Sequence, residues 1–149
     1  MAHNIRSLHN VGSIFRTSDG AGVDQVYLTG YTGTPPRIQI DKVALGAQDT
    51  MPWKHYKYPL RKVRELKKQG VQIIALETGD DAVDLFDFKP TWPVCLLVGN
   101  EVTGIDEKLL SEADVKVKIP MMGMKESLNV SCAFSVAVYE MLRKRRKKQ

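Results

Sequence analysis

No apolar run in this sequence approaches the roughly 20 residues that a helix needs to cross a bilayer. The longest, such as Val94 to Val98, stop far short, so no membrane span is expected. The N-terminus, Met1-Ala2-His3-Asn4, lacks a basic region followed by an apolar stretch, so no secretory signal is legible and the expected compartment is the cytoplasm. Cysteine is scarce too. Cys95 and Cys132 are too few and too isolated for a disulfide framework, and their apolar surroundings predict buried, reduced thiols. Neither GxGxxG nor GxxxxGK[ST] occurs, which removes the dinucleotide fingerprint and the phosphate loop. His3, His9 and His55 have no ligand spacing and neither cysteine has a nearby partner, so no catalytic metal is expected.

What remains is the pattern of a globular protein. A chain of 149 residues suits one domain, expected to span residues 1–149. Its basic excess is local: Lys and Arg total 22, and six of them form the unbroken run Arg143 to Lys148. Without that run, sixteen basic residues face seventeen acidic ones and the body is almost neutral. The basic tail, 143–149, reads either as a solvated helix end that offsets the helix dipole or as an attractor of phosphate. Charge alone leaves both open.

Short β-rich segments alternate with helical ones. Gln25 to Leu28, Val71 to Leu76, Pro93 to Val98 and Val115 to Ile119 read as strands, and the continuous apolar runs Ile73 to Leu76 and Val94 to Val98 suit strands covered on both faces. The spacing therefore predicts an α/β fold with a parallel sheet flanked by helices. A helix is predicted over Pro59 to Gln69, with Pro at its first turn and Gly70 after its end. An early helix is expected after Asn10, a favoured N-cap, with Val11, Ile14 and Phe15 on its inner face. Tyr31 to Arg37 reads as a loop. The last helix is expected to start near Ser127 and to bury a stripe of Leu128, Cys132, Ser135 or Val136, Tyr139 and Leu142.

Three segments carry more polar and glycine detail than a core requires. The first runs from Asn4 through Asn10 and Arg16 to Thr17, and Gly12, Ser13 and Gly20 would keep its surface thin for a close ligand. The second, Leu96 to Asp106, is a strand that runs into a polar loop bounded by Gly99 and Gly104, the position where open α/β sheets bind ligands. The third, Ile119 to Ser131, holds three Met residues and brings Ser127 and Asn129 to a helix start, where free backbone donors can orient a ligand.

Together these blocks resemble the three motifs of the SpoU family of RNA ribose methyltransferases, within the SPOUT superfamily. The resemblance rests on Asn4 to Thr17, on Leu96 to Ile105 and on Ile119 to Ala133, and it covers essentially the whole chain. It implies an α/β knot with a C-terminal trefoil, a homodimer, S-adenosylmethionine as cofactor and a ribose 2′-hydroxyl of tRNA or rRNA as acceptor. It further implies a cofactor pocket of Thr78, Gly99, Asn100, Ile119, Met121, Ser127 and Leu128, and catalytic positions at Asn10, Arg16, Glu101, Ser127 and Asn129. A guanidinium is effectively never deprotonated in proteins. Arg16 is therefore expected to clamp substrate phosphate and alkoxide, with Glu101 orienting Arg16 or Asn10. RNA contacts are expected from Arg6, Arg16, Arg143, Lys144, Arg145 and Arg146. Relatives carry a hydrophobic strand before the first motif; only Met1 to His3 precede Asn4 here, so either the first strand is shortened or the chain is truncated or misassigned at its start, and the completeness of the sheet stays open. A knotted methyltransferase acting on a base, and a non-catalytic RNA-binding protein that keeps the pocket, remain open readings.

Overall fold

The computed structural model describes residues 1–147; Lys148 and Gln149, the end of the basic tail, lie outside the described residues. The elements follow in chain order as β1 (Ala2–His3), α1 (Leu8–Gly20), β2 (Val26–Thr29), α2 (Ile38–Ala44), α3 (Ala47–Thr50), β3 (Trp53–Tyr56), α4 (Pro59–Lys68), β4 (Gln72–Leu76), β5 (Val83–Asp84), β6 (Val94–Leu97), α5 (Glu107–Leu110), β7 (Val115–Lys118) and α6 (Val130–Arg146). Every strand pairing is parallel. One ladder runs β1-β2-β3 and the other β5-β7-β4-β6.

The two ladders meet at β1. Ala2 bridges to Val98, with His3 N–H donating to the Val98 carbonyl at 2.9 Å and Val98 N–H to the Met1 carbonyl at 3.0 Å. Strand β1 is two residues long, and it sits between β2 and β6 and joins the ladders edge to edge. Below it, Met1, Val26, Val94, Leu96 and Trp92 border a cavity of about 260 Å³.

Parallel strands bury both faces, and here each face carries its own apolar cluster. One gathers α1, α2 and α6 through Val11, Ile14, Phe15, Ile40, Phe134, Ala137 and Met141. The other packs Val63 and Leu66 of α4 against Ile73, Ala75, Cys95 and Leu97. The helix predicted after Asn10 instead starts at Leu8, because the Ser7 hydroxyl accepts the Asn10 N–H at 3.3 Å and caps it first. Asn10 thus lies inside the first turn. Gly12 serves packing rather than a ligand: a Cβ there would lie 2.7 Å from the Ile40 carbonyl oxygen, so its absence lets α1 and α2 touch. Gly20 likewise faces the Tyr139 hydroxyl, 3.0 Å from where a Cβ would sit.

The last helix starts three residues later than expected, at Val130 with Asn129 as cap, so Ser127 and Leu128 stay in the preceding loop. Its buried stripe is only partly the expected one. Leu142 packs against the core and Ser135 is half-buried, but Ser131, Phe134, Ala137, Val138 and Met141 are the buried residues, whereas Leu128, Val136 and Tyr139 are exposed. Cys132 goes with them: it is exposed, and only Cys95 is the buried thiol expected of both. Helices α2, α3 and α5 and strands β3 and β5 were not predicted. Among the described residues no helix is long and apolar enough to cross a membrane.

Candidate functional site

Strands β4, β6 and β7 are neighbours in the sheet, and the segments leaving their carboxyl ends converge on one cavity of about 430 Å³. Leu76 to Thr78 form one wall, Val98 to Val102 and Gly104 a second, and Lys118, Ile119, Met121 and Glu126 to Val130 the third. This is where the crevice of an open α/β sheet should lie.

Each wall is fixed by the residues that build it. The loop after β6 closes on itself, with Asn100 and Gly104 exchanging backbone hydrogen bonds at 3.0 Å in both directions. Asn100 Oδ1 accepts the Val102 and Thr103 N–H groups at 2.8 and 2.9 Å, and its Nδ2 donates to the Asn4 carbonyl at 2.9 Å and the Tyr31 hydroxyl at 2.6 Å. Asn100 therefore lines the cavity with its polar atoms already engaged, as a brace for the turn. Gly104 has φ +70°, and a Cβ there would fall 2.5 Å from Glu77 Oε2. That contact matters because Glu77 ties β4 to this loop by accepting the Ile105 N–H at 3.0 Å.

A second network runs across the three sequence motifs. Asn129 Oδ1 accepts the N–H groups of Ser131 and Cys132 at 2.9 and 3.3 Å, which caps α6 and leaves Nδ2 to donate to Asn10 Oδ1 at 3.2 Å. Asn10 Nδ2 in turn donates to Glu101 Oε1 at 2.9 Å. The carboxylate can only accept, so it fixes the orientation of both amides. Glu101 also receives the Ser7 N–H at 3.0 Å and, on Oε2, the Arg6 N–H at 2.9 Å. Burial pushes its carboxyl up, but the donors from Arg6, Ser7 and Asn10 outweigh that and hold it below the usual carboxylate range.

The structure thus brings Asn10, Glu101 and Asn129 into one hydrogen-bonded line, and Thr78, Gly99, Asn100, Ile119, Met121, Ser127 and Leu128 all border the adjoining cavity. Arg16 is different. It is exposed on α1, does not border the cavity, and its side chain makes no hydrogen bond or ion pair among the described residues. Glu101 accordingly holds Asn10 and not Arg16. The expected RNA-contacting cations also divide. Arg6 and Arg146 are exposed, but Arg143 pairs with Glu140 through Nε and Nη2 at 2.7 and 2.6 Å, Lys144 reaches Glu140 and the carbonyls of Leu85 and Phe88, and the Arg145 guanidinium lies 5.6 Å from the centre of the Trp92 ring.

Glu77, Lys118 and Glu126 border the cavity without having been singled out from the sequence. Glu77 had a signal: it is the first polar residue after the buried strand Gln72–Leu76, where a sheet presents its ligand-facing groups. In the Met-rich loop only Met121 borders the cavity, and Met122 and Met124 are 95% and 100% exposed.

Comparison with known proteins adds an independent line. The sequence model of the SpoU rRNA Methylase family matches residues 1–139. The tRNA (guanosine(18)-2′-O)-methyltransferase of Escherichia coli (strain K12) is 39% identical over 137 residues, 92% of this chain and 59% of that enzyme. The chain thus spans less than two thirds of that relative's length. Among solved structures, the TrmH/SpoU tRNA modifying enzyme of A. aeolicus superposes with a TM-score of 0.90 at 34% identity, covering 99% of this chain and 74% of that one. The SpoU methyltransferase AviRb from Streptomyces viridochromogenes, in complex with the cofactor AdoMet, gives 0.89 at 25% identity, covering 97% of this chain and 56% of its own.

Proposed function

From the premise that the chain belongs to the SpoU rRNA methylase family, we propose that it methylates a ribose 2′-hydroxyl of tRNA or rRNA with S-adenosylmethionine as donor. The observation that carries this reading is the Asn129–Asn10–Glu101 line, which joins the three motifs beside a cavity at the carboxyl ends of adjacent parallel strands.

The cavity suits the cofactor in size and charge. Its volume of about 430 Å³ lies within the range of small-molecule sites. Glu77, Glu101 and Glu126 outnumber Lys118 on its walls, a negative balance that favours a ligand with a sulfonium and an ammonium. Thr78, Gly99, Ile119, Met121, Ser127 and Leu128 would hold the donor, with Asn100 keeping its loop closed. When bound, S-adenosylmethionine supplies an electrophilic methyl group. The protein's task is then to position a weakly nucleophilic hydroxyl and stabilise its developing alkoxide. Asn10, Ser127 and Asn129 position the ribose, and Glu101 holds Asn10. Arg16 clamps the substrate phosphate and the alkoxide, while the phosphate or a water takes the proton.

Because Arg16 stands away from the cavity of its own chain, it is best used in a site shared between two protomers. A homodimer, an α/β knot, one catalytic domain over residues 1–149 and action on cytoplasmic RNA complete the proposal. The intact Asn10, Glu101 and Asn129 network favours catalysis over a pocket kept only for binding.

The test has two arms. Calorimetric titration with S-adenosylmethionine should show uptake by the wild-type chain and by Arg16→Ala alike. Methyl transfer to unmodified RNA should fall about a hundredfold or more in the variant, the scale of losing one preorganised charge stabiliser. Equal loss of affinity and rate would remove Arg16 from the clamp role, and no uptake by the wild type would end the reading.

A further inference from the structure

Tyr31 follows β2 at the carboxyl end of the sheet, and 61% of it is open to solvent. An exposed tyrosine is usually free to move. This one is held at both ends. Its backbone N–H donates to Asn4 Oδ1 at 3.1 Å, and its hydroxyl accepts from Nδ2 of the buried Asn100 at 2.6 Å. The turn beneath it is fastened as well: Gly30 N–H donates to the Tyr56 carbonyl at 3.1 Å, the His55 ring nitrogen lies 2.9 Å from the Gly30 carbonyl, and Thr32 Oγ1 donates to the Thr29 carbonyl at 2.8 Å.

The backbone is shaped for the same arrangement. Asn4 adopts φ 54° and Gly30 φ 65°, and a Cβ on Gly30 would fall 1.9 Å from Asn4 Oδ1. A side chain at position 30 would therefore destroy the contact that holds Tyr31. The side chain is therefore held in place while most of the residue is open to solvent, on the very asparagine that braces the loop carrying Glu101. Arg6, exposed and bonded through its N–H to Glu101, adds a cation beside the same loop.

We propose that Tyr31 is a stacking platform for a nucleobase of the RNA substrate, next to the nucleotide whose ribose enters the Asn10–Glu101 site. This rests on the RNA-methylating reading above. Stacking on an aromatic face tolerates any base and, by alanine substitution, contributes enough for roughly a tenfold change in affinity. Tyr31 thereby strengthens RNA binding beside the catalytic site, and nucleotide identity is set elsewhere.

Tyr31→Ala, Tyr31→Phe and Tyr31→Trp in the full chain test this, with three readouts: binding to unmodified tRNA and rRNA transcripts, calorimetric affinity for S-adenosylmethionine, and thermal midpoint. Tyr31→Ala should weaken RNA binding about tenfold while cofactor affinity stays that of the wild type. Tyr31→Phe, which loses the Asn100 bond but keeps the ring, should bind RNA within about threefold of wild type, and Tyr31→Trp at least as tightly. Unchanged RNA affinity in Tyr31→Ala overturns the proposal. So does a Phe variant as impaired as Ala, since the tether to Asn100 and not the ring would then be responsible. A wild-type chain that takes up S-adenosylmethionine but binds neither transcript overturns the platform while leaving the cofactor site standing.

Discussion

Glu101 is a carboxylate surrounded by donors, and its charge is what makes the site's geometry determinate. Two backbone N–H groups and the Asn10 amide converge on it, so the ionised form is favoured despite burial. A carboxyl whose folded pKa is depressed stabilises the fold fully above its unfolded value, here about 4.5, and loses that contribution as pH falls through the lower folded value. Glu101→Gln turns one acceptor oxygen into a donor that faces other donors. At neutral pH it should cost about 1.5–3 kcal/mol, the range for hydrogen bonds to charged groups. Urea midpoints followed from pH 7 to 3 should show the gap between variant and wild type closing below pH 4.5; a gap constant across that range would show that shape, not charge, holds the site. At this scale the motif residues were legible because their types are chemically demanding. The position of Asn10 was not, since Ser7 and Asn10 are both good caps and the stripe Val11, Ile14, Phe15 fits either start. Only the choice of Ser7 as cap releases the Asn10 amide for Glu101.

Helix α6 has apolar residues on two faces, and periodicity cannot say which one belongs to the chain's own core. Of the stripe expected inside, Leu142 and Ser135 are half-buried while Leu128, Cys132, Val136 and Tyr139 lie outside, and Phe134, Ala137, Val138 and Met141 take the core. An exposed apolar stripe on a long helix is a natural interface, and it fits the shared site proposed above for Arg16. If α6 forms the proposed dimer interface, Val136→Glu combined with Tyr139→Glu should convert that dimer to monomer in analytical ultracentrifugation and abolish the proposed methyl transfer, with little change in secondary structure. A variant that stays dimeric would assign the interface to another face. The contact between α1 and α2 makes the opposite demand, for closeness inside one chain. Gly12→Ala would place a methyl 2.7 Å from the Ile40 carbonyl oxygen and 2.9 Å from Val43 Cβ, so the helices must separate. Overpacking of this kind costs about 1–3 kcal/mol, which thermal denaturation would register as a midpoint several degrees lower; an unchanged midpoint would mean that α2 yields freely. Glycine in the first motif looked like room for a ligand because a sequence cannot distinguish a thin surface from a tight helix crossing.

For the molecule as a whole, alternating strands and helices were sufficient to name a parallel α/β sheet, because buried parallel strands read as unbroken apolar runs. Strand order was not legible. It depends on β1, two residues with no periodicity of their own, lying between β2 and β6 and uniting the ladders. Charge shows the same division between composition and structure. The basic tail suggested a phosphate attractor, but Arg143 and Lys144 converge on Glu140, which is only 9% exposed and is held below the usual carboxylate range chiefly by Arg143. Arg145 rests on Trp92, so Arg146 and Lys147 are the tail cations without a protein partner among the described residues. Each phosphate neutralised by such a cation adds about one to the slope of log affinity against log salt. Arg146→Ala with Lys147→Ala should therefore lower that slope by about two in RNA binding and leave the thermal midpoint unchanged. Arg143→Ala with Lys144→Ala should do the reverse: it strips a buried carboxylate of its partners, so the midpoint drops while the slope barely moves. If neither pair moves the slope, then the tail is a solvated helix end, and the grip on RNA in the proposed reaction is left to Arg6, Arg16 and the ring of Tyr31.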